Sequence, residues 1–353
     1  VQLAPNSQAG LTAAEAGDLL GMRFVVHLAL AHQRRAPDIT EDMQTRGGYI
    51  CHLDATCEGG DPLLMSSIDS LSEIVLGNVK LPAEDEEHIV PFLARIKNNF
   101  GIPLALVHDM GKGILAAVAK AFPGVPDFIC HFHFLRDIGK DFLGAEYDII
   151  RKRLSTHGIS AKLCYRAKQL KADIDRKPEL IKALETGIEN GVKKFRAWLT
   201  RRKDYPQNPA AQKMIEQIDK YWEKLFADPI TVQTPSGPIL IQPQRTNNIL
   251  EQFFRFLKRA NRRRTGNASS SRMLRTILAE TPLVRNLENP LYMQILLDGK
   301  TSLEEFFAET EIATLREAFR QAQDAPEKIP SELKPLSPCP TSRKSSSTWS
   351  KRP

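Results

Sequence analysis

Residues 104–130, LALVHDMGKGILAAVAKAFPGVPDFIC, hold the reading that decides the fold. Leu104 to Val107 is a short apolar run of the length of a buried strand, with His108-Asp109 at its C-terminal end. Lys112 to Phe122 follows a helical pattern that Pro123-Gly124 stops, and Asp127 to Cys130 is one more strand. Strand, helix and strand in close succession predict an α/β sheet with parallel strands at this point.

Toward the N-terminus the pattern is different. Tyr49 to Leu53 is a short β-rich run that terminates at Asp54, and Leu63 to Val79 carries apolar patches broken by Asp69, Ser70 and Asn78. These predict two or three antiparallel strands. The acidic run Glu84 to Glu87 opens a helix whose apolar residues Ile89, Val90, Leu93 and Ile96 follow period 3.6, until Gly101 and Pro103 stop it. The sheet therefore has an antiparallel start and a parallel finish. Before it, residues 11 to 45 read as helices: Thr12 is an N-cap with Glu15 three residues on, Leu19, Leu20, Phe24, Val25 and Leu28 recur at helical spacing, and Arg46-Gly47-Gly48 ends the region.

Beyond Arg136 the chain becomes helical and cationic. Arg151-Lys152-Arg153, Lys193-Lys194-Phe195-Arg196 and Arg201-Arg202-Lys203 alternate with apolar helix positions such as Leu154, Leu170, Ile181, Leu184 and Trp198, which predicts a helical insertion to about Asp228. Pro229, Pro235, Pro238 and Pro243 predict an extended connection, and Asn247 to Arg263 is the strongest amphipathic helix in the chain. Helices are expected to about Gln323. The last 24 residues hold five prolines and seven serines, a composition expected to stay disordered. Five segments result: 1–48 helical, 49–135 the first part of an α/β core, 136–243 the insertion and Pro-rich connection, 244–325 the completion of the core, and 326–353 a basic tail.

A length of 353 residues with 42% hydrophobic residues suggests about two domains and a sizeable core. Five scattered cysteines without a secretory signal fit a reducing cytoplasm, and no apolar run is long enough to span a bilayer. The net charge of +7 is unevenly spread: residues 251 to 275 carry eight Lys/Arg and one acid, which is the whole excess, while the tail from 330 adds five against one. Helix pairing does not need that imbalance, whereas a phosphate backbone would explain it.

Asp54 and Asp109 both stand at strand C-termini, where an α/β sheet presents side chains to a crevice. Glu251 lies on the amphipathic helix. Leu250, Phe253, Phe254 and Leu257 form its buried stripe, and Glu251, Arg255, Lys258 and Arg262 an adjacent one with Arg259 at its edge. Three convergent carboxylates could hold two Mg²⁺ ions for phosphodiester chemistry; an exposed Glu251–Arg255 pair is the plainer alternative. Cys130 and His133 form a C-x-x-H unit that supplies two zinc ligands where a closed site needs four. It reads either as a thiol beside an activating imidazole or as a buried Cys with His133 supporting the metal site or packing. Gly111-Lys112-Gly113 is too short for a phosphate loop and reads as a tight turn exposing Asp109, while Phe132, Phe134 and Phe142 read as core.

Together, YICHLDATCEGG (49–60), LALVHDMGKGI (104–114), FICHFHFLRDIGKDFL (128–143) and RTNNILEQFFRFLKRANRRRTG (245–266) resemble the DDE transposases of bacterial insertion sequences, including the C-x-x-H feature of Mutator-like elements. The resemblance covers roughly residues 20 to 300 and rests on the order of its parts: C-x-x-H 21 residues, and Glu 142 residues, after the second Asp. It implies an RNase H-like mixed sheet flanked by helices, with an all-helical insertion before the catalytic Glu helix. It also implies two Mg²⁺ ions, replaceable by Mn²⁺, and DNA cleavage and strand transfer in a homo-oligomer on the element's ends. Carried over, Asp54, Asp109 and Glu251 are the catalytic and metal-binding triad, and Cys130 and His133 a structural or supporting pair. Asn247 and Asn248 would cap the Glu helix, and Arg255, Lys258, Arg259, Arg262, Arg263 and Arg264 would contact DNA. Such transposases carry an N-terminal helix-turn-helix region, of which residues 11 to 20 are expected to be a remnant. A catalytically inactive, truncated DNA-binding derivative is the alternative, and a host nuclease with the same core a third reading.

Overall fold

The computed structural model describes residues 13–58, 62–134, 136, 152, 156, 179–201, 203, 205–226, 229–244, 246–266, 269–308, 313–314, 316–318 and 320. Its centre is a five-stranded mixed sheet of β1 (Ile50–Thr56), β2 (Leu63–Asp69), β3 (Val75–Leu81), β4 (Ala105–His108) and β5 (Asp127–Ile129), in the order β3-β2-β1-β4-β5. β1 to β3 pair antiparallel, and β4 and β5 join β1 in parallel, as the alternation of apolar runs and breakers predicts. β1 runs two residues past Asp54 because its antiparallel ladder with β2 continues to Thr56↔Leu64. On the β4 side the parallel ladder ends at His52↔Val107, so Asp54 does stand at a strand margin there.

Side chains alternate across the sheet. One face is covered by α3 (Glu86–Phe100) and α4 (Lys112–Ala121), where Gly77 of β3 lets Ile96 come close. Asp85 caps α3 by accepting the His88 N–H, and Gly101, at φ 79°, ends it. Helices α1 (Ala13–Arg34) and α2 (Ala36–Thr45) bring Leu28, Ile39 and Met43 to the core shared by Cys51, Leu53, Leu93 and Ile96. The proposed Thr12 cap lies outside the described residues.

The opposite face carries Ile50, Ala105, Val107 and Phe128, and on it sits a feature the sequence reading missed. Residues 229–243 are not simply an extended connection. β6 (Ile230–Thr234) and β7 (Gly237–Ile241) pair as a hairpin whose Val232 and Ile241 complete that apolar cluster. The prolines permit this because the ribbon has two strands, so both are edges, and because Pro235 falls in the turn. Before the hairpin, α5 (Glu179–Arg201) and α6 (Pro209–Leu225) are helical as expected, with Leu199, Ile215 and Ile218 packed against Ile129 and Phe134. One aromatic expectation is corrected: Phe132, read as core, is 51% exposed; Trp198, helical as expected, is equally exposed and stacked on Phe195.

After the hairpin come α7 (Asn248–Thr265), α8 (Ser271–Thr276), a 3-10 helix at Thr281–Glu288, α9 (Pro290–Leu297) and α10 (Leu303–Ala308). The 3-10 helix lies along β3, the outer strand: Asn286 Oδ1 accepts the Val75 N–H at 2.8 Å and Nδ2 donates to Val75 O at 2.9 Å. No helix among the described residues is long and apolar enough to cross a membrane. The expected disordered tail, Leu154, Leu170 and Phe142 lie outside the described residues.

Candidate functional site

Asp54 shares the hairpin-covered face with Ile50 and His52, by the two-residue period of β1. It is 7% exposed, and its Oδ1 accepts the Ala55 N–H at 2.8 Å. Continuing the β1–β4 register by two residues from His52↔Val107 reaches Asp54 and Asp109, so the two acids leave neighbouring parallel strands at the same level. Asp109 Oδ1 accepts the Gly111 N–H at 3.0 Å, which closes the turn into α4. His108 Nδ1 donates to the Asp109 carbonyl at 2.7 Å and steadies the same turn from within the sheet.

Glu251 stands in the first turn of α7, where the positive end of the helix dipole favours a carboxylate. Leu250, Phe253 and Phe254 are buried as the helical stripe predicts, which turns Glu251 toward the margin of the core with a side chain 23% exposed. Its Oε2 accepts from Arg255 at 2.8 Å, so the simple i,i+4 pair anticipated from the sequence is formed.

The carboxylates nevertheless act on one another. Burial is the main cause that pushes the Asp54 carboxyl up to about 7 from its ordinary 3.8. The negative charges of Asp109, Glu251 and Glu84 add to it, against the Ala55 N–H. Glu84 is likewise pushed up to about 7, by burial and then by Asp109. Four acids are therefore within electrostatic reach of one place. Mutual repulsion favours keeping them apart, and among the described residues no group of three or more His, Cys, Asp or Glu is arranged to hold a metal ion. The donor chemistry itself fits a hard divalent cation, since every candidate ligand is a carboxylate oxygen.

Glu84 is a residue the sequence reading did not single out. It was counted with the acidic start of α3, but the cap is Asp85 and Glu84 lies before it. What brings it to Asp109 is the Gly111-Lys112-Gly113 segment. A Cβ on Gly111 would collide with Glu84 Oε1 and stand 3.1 Å from Asp109 Oδ1, and one on Gly113 would collide with the backbone of Glu84 and Asp85. The two glycines are a notch for residues 84–85. Two glycines beside an acid signal a close approach, though nothing in the sequence says by which residue.

Cys130 and His133 are both buried. Cys130 is 1% exposed, burial pushes its thiol upward, and its sulfur accepts the N–H of Asn247 at 3.2 Å. The N–H groups of His133 and Phe132 also bond it, at the start of the helical turn 131–134. The His133 imidazole is buried edge-on to Phe132, with ring centroids 5.8 Å apart. Asn247 begins α7 but makes no side-chain cap. Its side chain turns instead to β1, where Nδ2 donates to Leu53 O at 2.7 Å and Oδ1 lies 3.1 Å from Nδ1 of the buried His52.

On α7 beyond Glu251, Arg255, Lys258, Arg259, Arg262 and Arg263 are exposed; Arg264 follows on the same helix, its side chain outside the described residues. Arg285 adds a further cation above Phe256, 5.9 Å from its ring centroid. No family model matches the chain, and no curated protein sequence matches it.

Proposed function

We propose that the chain is a DDE-type transposase, cutting DNA phosphodiesters and joining the freed ends to target DNA with Asp54, Asp109 and Glu251 as metal ligands and Glu84 as a fourth acid beside them. The observation that carries this reading is the register of β1 and β4, which sets Asp109 beside the buried Asp54 at the end of a parallel strand pair, with Glu251 and Glu84 near enough to act on Asp54. The strand order, antiparallel on one side of β1 and parallel on the other, is compatible with an RNase H-like core, and α5 and α6 precede the Glu helix in the chain, as the reading of a helical insertion needs. That part of the reading is an analogy of fold.

Bound Mg²⁺, or Mn²⁺ in its place, would supply Lewis acidity toward a phosphodiester oxygen. Asp54 and Asp109, fixed by adjacent strands, hold one side of the site, and Glu251 approaches from α7. Freed from Arg255, Glu251 would offer both oxygens, and Arg255 would then face a DNA phosphate. Lys258, Arg259, Arg262 and Arg263 continue the track of positive charge, and Arg264 is proposed as a further DNA contact on sequence alone. Assembly on two DNA ends as a homo-oligomer in the cytoplasm belongs to the same proposal.

The test is strand transfer by the purified chain on DNA carrying the ends of its own element, with Mg²⁺, beside Asp54→Ala. Equal activity in the variant would overturn the assignment. The Glu251–Arg255 pair and the absence of a ready ligand set among the described residues favour a second reading, a non-catalytic DNA-binding derivative. DNA binding without any Mg²⁺-dependent cleavage would decide for it.

A further inference from the structure

Asn247 and Cys130 carry none of the reacting groups of the proposed chemistry, yet they bond to the chain beside them. Asn247 is 1% exposed and makes three bonds, one to the residue after β5 and two to β1. Its N–H reaches Cys130 at the end of β5, its Nδ2 the Leu53 carbonyl of β1, and its Oδ1 the His52 ring. Leu53 is the residue before Asp54. The Asn247 carbonyl accepts the N–H of Glu251 at 2.9 Å, the first intrahelical bond leading to that acid. Cys130 closes the circuit, because its own N–H donates to the His108 carbonyl at 2.8 Å, and His108 is the residue before Asp109.

Thus one buried circuit contacts the chain immediately adjacent to both aspartates and starts the helix turn that presents the glutamate. A helix end held by one bond can slide or rotate, whereas bonds to β1 and to Cys130 together fix its height and angle on the sheet. The upward shift of the Cys130 thiol suits it to this task, since a neutral buried sulfur stays an acceptor and not a nucleophile. We infer that Asn247, seated on Cys130, is a positioning residue that sets where Glu251 stands relative to Asp54 and Asp109. The inference deepens the metal-dependent reading and rests on it for its purpose, while the circuit itself is tested separately.

The experiment compares the full chain with Asn247→Ala, Cys130→Ala and Cys130→Ser, measuring Mn²⁺ binding by electron paramagnetic resonance and amide hydrogen exchange over residues 248–254. Removing a group that orients a ligand typically costs 10–100-fold in metal affinity, so half-saturating Mn²⁺ is expected to rise about tenfold in both alanine variants. Exchange at 248–254 rises with it. Cys130→Ser, which retains an acceptor, is expected to recover most of both. Wild-type exchange and wild-type Mn²⁺ affinity in Asn247→Ala would overturn the inference. If Asn247→Ala does not fold, the difference between Cys130→Ala and Cys130→Ser decides, and equality of these two overturns it. If the wild-type chain shows no Mn²⁺ binding that Asp54→Ala abolishes, the metal reading fails by itself. Exchange then judges the circuit: acceleration confined to 248–254 supports it, and none refutes it.

Discussion

Asp54 and Glu84 bind protons more tightly in the folded chain than in the unfolded one, each pushed up to about 7 from ordinary values of 3.8 and 4.5. Between the two limits the native state holds the extra protons, so their stabilising contribution is complete below about pH 4 and lost as pH rises through about 7. Buried His52 and His32, both lowered to about 4, work in the opposite sense, so the useful quantity is a difference. The thermal stability of Asp54→Asn is expected to fall less than that of the wild type between pH 5 and pH 8, measured in metal-free buffer. A parallel pair of curves would contradict the burial of that carboxyl. Gly113→Ala is the second case at this scale. Alanine is the better helix former by about 1 kcal/mol, but its Cβ would strike backbone atoms of Glu84 and Asp85, which cannot rotate away. The clash should prevail and cost about 1–3 kcal/mol in denaturant melts. Asp54, Asp109 and Glu251 were legible as candidates because strand ends and an amphipathic helix are local patterns. Glu84 was not, because its role depends on two glycines some thirty residues away in the chain.

Helix α7 carries its acid in the first turn and its exposed cations after it. If the exposed cations lie on DNA phosphates, each one neutralised contributes about 0.9 to the slope of log affinity against log salt. Replacing Lys258, Arg259 and Arg262 together by alanine is expected to reduce that slope by about 3 in fluorescence anisotropy titrations, without preference for sequence. An unchanged slope would move the DNA track elsewhere on the protein. The buried face of this helix was readable from Leu250, Phe253 and Phe254 because period 3.6 records it. The Asn247 side chain was not, since an Asn before a helix has the same local signature whether it caps or reaches across to β1. The β6–β7 hairpin was hidden for a related reason: prolines argue against a central strand, and only the tertiary setting makes this ribbon an isolated pair.

For the molecule as a whole, residues far apart in sequence close the sheet that the middle of the chain builds. The change from antiparallel to parallel strands was legible in the spacing of apolar runs, but the order β3-β2-β1-β4-β5 and the closure were not, the closure because it depends on one polar side chain in an irregular segment. Asn286, 1% exposed, supplies a donor and an acceptor to Val75 just as a sixth strand would at that position. Asn286→Ala would leave that N–H and carbonyl unsatisfied, and a loss of about 1–3 kcal/mol is expected in equilibrium unfolding. The larger consequence concerns shortened chains. A product ending before Thr281 would still contain all five strands, but it would lose Leu283, Tyr292 and Leu296 from its core, and β3 would then be an open margin offered to every other copy. Such a product is expected to grow by strand addition as its concentration rises, visible in light scattering, so that the 3-10 helix serves as much to keep copies apart as to hold one copy together.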